Sequence, residues 1–387
     1  MIFRLTVLLS TISLSLVLNA QTKNCAVADS LMMQQEYFKA IEWYQACYEV
    51  DTTDKRPYLA LANTYYLLGD YQNAKIYYHH LEHQERYQSD ALVRLAAIYE
   101  SQQNLPKAIK YNIALSKRFP NNPIYYRKLG SLFLLGNEQK QAITSYHTAM
   151  QLNKRDLLTI QGISELYISI DSLDVADSLL TKGLEIDSSH IGLSLLKSRV
   201  KYRQRMYDEV ADILYKLTFA TELNNYYNKL LGYSFMQIDS LDKAIYHLQK
   251  SLLNEGDPEY ALFYLALAYE KKKDYDRADY YYGEAIKEGI SENMTHYHRG
   301  LARTHTIRGN YGEVLKQYGK SQAYEQDADV YYYMGNAAEQ YYKDKSKAIK
   351  YYQQYLGTNP DNAAWVKNAK DRIKVLKELR FMRGKNK

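Results

Sequence analysis

Small residues recur along this chain with a fixed period. The series Ala40, Ala74, Ala108, Ala142, Ala176, Val210, Ala244 and Ala278 advances in steps of 34 residues, then continues to Val314 after 36 and Ala348 after 34. Twelve residues before each of the first nine stands a second small residue: Ala28, Ala62, Ala96, Gly130, Ser164, Ser198, Gly232, Ala266 and Ala302. Gly335 precedes Ala348 by thirteen, which predicts one extra residue in that turn. Around each pair, apolar residues fall three or four apart, the spacing of an amphipathic helix. In the second repeat they are Tyr58, Leu61 and Tyr65, then Tyr71, Tyr78 and Leu81. Two helices approach closely only where neither carries a bulky side chain at the crossing, so each repeat reads as an antiparallel helix hairpin. Such a hairpin cannot bury its own faces, and neighbours must stack. Asp70, Asn104, Ser172, Ser240, Asp274 and Asn310 stand where a short polar residue would cap the second helix.

The period, the small pair and the residue types together resemble the tetratricopeptide repeat family over about residues 21–361. The resemblance implies an all-α fold, a right-handed α-solenoid of about ten hairpins. Its units start near 21, 55, 89, 123, 157, 191, 225, 259, 295 and 328. Only Pro120 and Pro360 supply the proline that often closes a unit in this family. The sixth unit, 191–224, places Lys197 and Lys201 where apolar residues belong, which predicts a hinge or a locally remodelled repeat. Two extra residues near 287–294 mark a second irregular joint. In the basic segment 362–387, Val366, Ala369, Ile373, Leu376 and Leu379 form one stripe, as expected of a helix covering the last exposed face.

Tyrosine is the compositional anomaly, with 42 copies against 8 Phe and 2 Trp. The stretch KKDYDRADYYYGEA, residues 272–285, holds four of them. Tyr275 and Tyr282 fall on repeat packing positions, and one of Tyr280 and Tyr281 is expected to meet the neighbouring unit. A tyrosine joins a large apolar ring to a polar tip, so it suits half-buried seams between helices.

The N-terminus reads as an address. Arg4, an apolar run from Leu5 to Leu18 and the small Ala20 form a secretory signal over residues 1–20, so the protein is expected in the periplasm or cell envelope, or secreted. Nine Lys and Arg against Asp371 and Glu378 give the last 21 residues a net charge of +7, which leaves the body from 21 to 366 near −2. A nucleic-acid ligand is excluded on this ground, because the basic charge does not run along the body. The basic terminal helix is expected to be mainly a solvated face, with peripheral envelope association as the lesser reading. No segment after the leader reads as a transmembrane helix. The only cysteines, Cys25 and Cys47, fall near the start of one helix and the end of its partner, which antiparallel packing brings level. In an exported chain this favours a disulfide, with two inert buried thiols as the alternative.

No phosphate loop, nucleophile elbow or HExxH zinc motif is present, so the chain reads as non-catalytic, with no cofactor and no metal. His79 and His83 of HHLEH share a helix face, but nothing nearby supplies further metal ligands. In the resembled family the first helices line an inner groove that takes an extended peptide or partner helix. Carried over by position, that groove holds Asn63, Arg127, Arg199, Tyr202, Arg203, Tyr226, Lys229, Tyr233, Phe263, Arg299, Arg303, Tyr332 and Asn336. About half of its rings are expected to pack between adjacent first helices. The arginines point to a protein partner carrying acidic residues. The function expected is a protein–protein interaction scaffold outside the cytoplasm. A glycan or peptidoglycan binder is the alternative, and an enzyme is a distant third.

Overall fold

The computed structural model describes residues 25–253, 258–289 and 293–385; the leader expected over residues 1–20 lies outside them. Among the described residues the regular structure is helical throughout. The chain divides into two compact units between Ser188 and Ser189. In the first unit α1 (25–33) pairs with α2 (Tyr37–Val50) and α3 (Arg56–Leu67) with α4 (Tyr71–Leu81). The pairs α5 (Glu85–Ser101) and α6 (Leu105–Arg118), α7 (Pro123–Leu135) and α8 (Gln139–Leu152), and α9 (Leu157–Ser169) and α10 (Leu173–Ile186) complete it. The second unit starts with α11 (Ile191–Arg203) and α12 (Tyr207–Leu217), then α13 (Asn225–Gln237) and α14 (Leu241–Lys250). It continues through α15 (Glu259–Lys271) and α16 (Tyr275–Glu288), α17 (Met294–Ile307) and α18 (Tyr311–Tyr324), and α19 (Ala328–Tyr341) and α20 (Ser346–Gly357). A long final helix, α21 (Ala363–Lys385), packs on α20.

The small pairs sit at the crossings. Ala62 and Ala74, Ala266 and Ala278, and the second-helix members Ala142, Ala176, Ala244 and Ala348 are all fully buried. The glycines show how tight the approach is. A methyl group on Gly130 would stand 2.7 Å from the Tyr146 ring, and one on Gly335 would stand 2.7 Å from the Tyr352 ring. Each of the first nine turns then reverses through a residue in the left-handed region, from Gln35 and Gly69 to Lys273 and Gly309. Only two of these are glycine, so the other seven hold a conformation that costs an L-residue roughly 1–2 kcal/mol. The tenth turn, between Tyr341 and Ser346, is one residue longer and has no such residue.

Several local expectations need correction. Asp70, Asn104 and Asp274 do cap their helices, accepting the backbone N–H three residues on. Ser172, Ser240 and Asn310 make no such bond; their turns already close by backbone hydrogen bonds, as from Ser172 N–H to Tyr167 O and from Ser240 N–H to Phe235 O. Leu379 is 42% exposed, because the buried face of α21 ends at Leu376, while Ala369 and Leu376 sink completely against α20. Trp365 joins that face by stacking on Tyr332. In the sixth hairpin Lys201 is buried, and its ammonium meets Glu209 of the partner helix at 3.2 Å. α12 is 11 residues long, and a seven-residue connection leads to α13.

Cys25 and Cys47 are joined in a disulfide, with Cα atoms 5.7 Å apart, across the open ends of α1 and α2. In the second unit His247 is buried, and its Nδ1 donates to Asn228 Oδ1 at 3.0 Å; the Asn228 amide donates in turn to Leu223 O and Asn224 O. Burial, then the charges of Lys250 and Lys243, push this imidazole down to about 4.

Two consequences are measurable. Ala74→Leu should overpack the second crossing and cost about 1–3 kcal/mol, whereas Gln72→Leu on the exposed face should cost under about 0.5 kcal/mol by urea unfolding. Equal stabilities would show that Ala74 is not a crossing residue. The His247 ring stays neutral in the fold while the unfolded chain takes a proton near the ordinary value of 6.5. Its contribution is therefore fully present above that value and is lost as pH falls toward about 4. The loss between pH 7 and pH 5 should be about 2 kcal/mol. His247→Gln should remove that part of the slope; an unchanged slope would mean the ring titrates normally in the fold.

Candidate functional site

The residue four places after the second-helix small residue shapes the chemistry of the inner face in six hairpins. Four after the small residue stand Tyr44, Tyr78, Tyr146, Tyr282, Tyr318 and Tyr352, all buried at the hairpin crossing. A buried hydroxyl needs a partner, and the ring's length delivers it to the first helix of the same hairpin. Tyr44 donates to Asp29 at 2.6 Å, Tyr78 to Asn63 at 2.7 Å, and Tyr352 to Asn336 at 2.6 Å. Tyr146 bonds Ser131 at 2.9 Å, and Tyr282 donates to Glu270 at 2.5 Å. Burial is the main cause that holds the phenols of Tyr282 and Tyr352 well above their ordinary range, so they remain donors. Of the other tyrosines in that stretch, Tyr281 stacks on Tyr269 of its own hairpin at 5.4 Å and Tyr280 is 59% exposed.

The next first helix answers the same inner position. Lys128 meets Glu100 at 2.9 Å, and Arg94 lies over the Tyr66 ring at 4.7 Å. Arg303 meets Glu270 through a fork, Nε to Oε1 at 3.0 Å and an amino nitrogen to Oε2 at 3.1 Å. Arg372 of α21 makes the same kind of fork to Glu339, with Nε to Oε1 at 3.0 Å.

These contacts revise the groove read from the sequence. Arg127 is paired with Asp156 at 2.6 Å, and Arg299 with Asp327 at 2.9 Å. Arg299 and Arg303 share a helix face but turn to opposite neighbours, so they do not form a free cationic clamp. Arg203 is exposed and Arg199 half-buried, and Lys229 lies over the Tyr260 ring at 5.7 Å. Tyr202, Tyr233 and Phe263 pack against the core of the second unit, with Tyr233 against Tyr264 at 4.5 Å and Phe263 against Tyr297 at 4.8 Å. Tyr226 stays 44% exposed. His79 bonds Tyr99 at 3.1 Å and Glu82 at 3.2 Å, so the HHLEH face serves packing between hairpins.

A groove of about 700 Å³ stays open, lined from α15, α17, α18, α19 and α21. Tyr311, Tyr318, Tyr332 and Tyr333 line it, together with Thr306, Ile307, Asn336, Gln340 and Asn368 and the two ion pairs. Tyr332 donates to Asn368 at 3.0 Å, and Tyr318 stacks on Tyr333 at 5.7 Å. Burial is the main cause that pushes Tyr318 up to about 12, so its hydroxyl keeps its proton. Sequence reasoning found Tyr332, Asn336 and Arg303 but missed Arg372 and Asn368, because α21 was read as a cap and not as a groove wall.

Residues 56–80 and 260–288 match models of the tetratricopeptide repeat, and these are the hairpins α3–α4 and α15–α16. These matches, with hairpins built around the small pair along the described residues, support a tetratricopeptide repeat protein. Proteins of this fold are in general non-catalytic scaffolds for protein–protein interaction. Comparison with curated proteins finds no match. Among solved structures, a tetratricopeptide repeat protein from Parabacteroides merdae is similar at 16% identity, over 64% of this chain and 97% of that one, with a TM-score of 0.46. YrrB, a TPR protein with an unusual peptide-binding site, is similar at 19% identity, over 48% of this chain and 94% of its own, with a TM-score of 0.43. MamA from Desulfovibrio magneticus is similar at 17% identity, over 43% and 94%, with a TM-score of 0.41. Among the described residues no helix is long and apolar enough to cross a membrane.

The tyrosine bonds can be weighed directly. Tyr282→Phe strands a half-satisfied Glu270 carboxylate and should cost about 1–3 kcal/mol, while Tyr280→Phe on the exposed face should be neutral. Equal unfolding midpoints for the two variants would remove the hydroxyl bond from the account.

Proposed function

We propose that this chain is a non-catalytic scaffold outside the cytoplasm that holds an extended peptide or a partner helix in the groove of its second unit. The observation that carries the reading is the groove itself, whose tyrosine faces and exposed amides are left over after the inner ion pairs have formed. Ring faces cover apolar side chains, and amides such as Asn336 and Gln340 bond peptide backbone groups, the mixture that dominates protein interfaces. Export rests on the leader pattern of residues 1–20 and fits the Cys25–Cys47 bridge, since such bonds persist in oxidising compartments. Peripheral envelope contact through the basic α21 remains a subordinate reading. A glycan-binding role draws on the same rings and amides, and is separated from the peptide reading by experiment.

The test uses Ile307→Arg with Gln340→Arg, two exposed lip positions whose change leaves the packing intact. Cross-linking in the native host should capture a protein partner with the wild type and lose it with the double variant, at unchanged circular dichroism. N-terminal sequencing of the exported chain should begin at Gln21. Equal capture by both chains would remove the groove from the account, and groove-dependent co-sedimentation with purified peptidoglycan would favour the glycan role.

A further inference from the structure

We infer that the groove of the second unit selects an electrically neutral segment with apolar or aromatic side chains, and rejects an acidic one. The inference rests on the peptide-groove reading and adds the chemical class of the ligand. Four charged side chains line the groove, and they form two closed pairs, Glu270 with Arg303 and Glu339 with Arg372. Each arginine spends its fork on both oxygens of its glutamate. Each glutamate is held from behind by a buried tyrosine, Tyr282 at 2.5 Å and Tyr352 at 2.7 Å. The carboxylates lie deep, with the Glu339 side chain only 7% exposed and Glu270 20%.

The outer amino groups of Arg303 and Arg372 stay open on side chains 48% and 41% exposed, but a ligand carboxylate could take either fork only by displacing its glutamate. That would leave a desolvated anion held by a single phenol, and would bring a second anion beside it. Removing one partner of such a buried pair costs more than the exchange returns, because the uncompensated charge stays in place. A cationic ligand meets the mirror-image difficulty. A neutral segment meets none: the rings offer apolar contact, and the amides of Asn336, Asn368 and Gln340 offer hydrogen bonds that carry no net charge. Charge here rejects wrong ligands more than it attracts the right one.

The probe is a phage-displayed library of random 12-residue peptides, selected on the full wild-type chain and counter-selected on the Ile307→Arg, Gln340→Arg variant. The expected consensus has no net charge and carries aromatic or aliphatic anchors. Binding of the synthetic consensus peptide, read by fluorescence anisotropy, should change less than about threefold between about 50 mM and about 500 mM salt, since no ion pair forms across the interface. Placing Asp at its anchor positions should weaken binding at least about tenfold. A groove-dependent consensus rich in Asp or Glu, or an affinity that falls about tenfold with salt, overturns the inference while leaving the peptide-groove reading intact. Recovery of no peptide that the double variant loses overturns both.

Discussion

The close approach of two helices at each small pair is the constraint on which the rest of this molecule depends. With Ala, Gly or Ser at the crossing, the backbones come near enough for one large ring to lie across the junction; Gly130 and Gly335 touch their tyrosine rings so closely that not even a methyl group fits. A phenylalanine would fill the space as well. A tyrosine does something further, because its hydroxyl emerges on the first helix of the hairpin and must be satisfied there. The hydrogen-bond partners Asp29, Asn63, Ser131, Glu270 and Asn336 are the consequence. The abundance of tyrosine and the polar character of the inner face are thus one fact seen from two sides.

The same logic carries charge from one hairpin to the next. A glutamate that accepts from its own hairpin, a phenol at Glu270 and Glu339 and the Asn112 amide at Glu100, still has lone pairs to fill, and a following helix supplies a cation: Lys128 for Glu100, Arg303 for Glu270, Arg372 for Glu339. Where the same position holds Tyr66 instead, Arg94 settles over its ring. Half-buried forks of this kind favour arginine, whose planar donors match both carboxylate oxygens. Such pairs add little net stability, but they fix the register of neighbouring first helices, because a slipped partner would leave a buried carboxylate unpaired.

Periodicity made the hairpins legible before any coordinates. The small pairs recur at one spacing, and apolar residues at helical steps around them leave a single way to fold each repeat. The extra residue in the tenth turn was readable for the same reason. What could not be read was where long polar side chains end. Arg299 and Arg303 are adjacent on a helix face in sequence, yet Asp327 and Glu270 draw them apart, and those carboxylates lie about thirty residues away in opposite directions. Ser172 and Ser240 have the right residue type for a cap, but the bond also needs a side-chain rotamer that sequence does not specify. Lys201 looked misplaced in an apolar register until Glu209 was seen beside it.

Position in the repeat identifies the side chains that point inward, but not those that are free. In the second unit the charged groups of the inner face are consumed by neighbours, and what remains is ring faces, carboxamides, and an isoleucine and a threonine at the lip. A groove assembled from remnants has little long-range electrostatic pull, so association would be slow and affinity would come from shape and dissociation rate. In the proposed peptide complex, selectivity lies in the paired charges, which a ligand must leave undisturbed. Glu270 and Glu339, which satisfy buried phenols, would in that complex also set what the groove refuses.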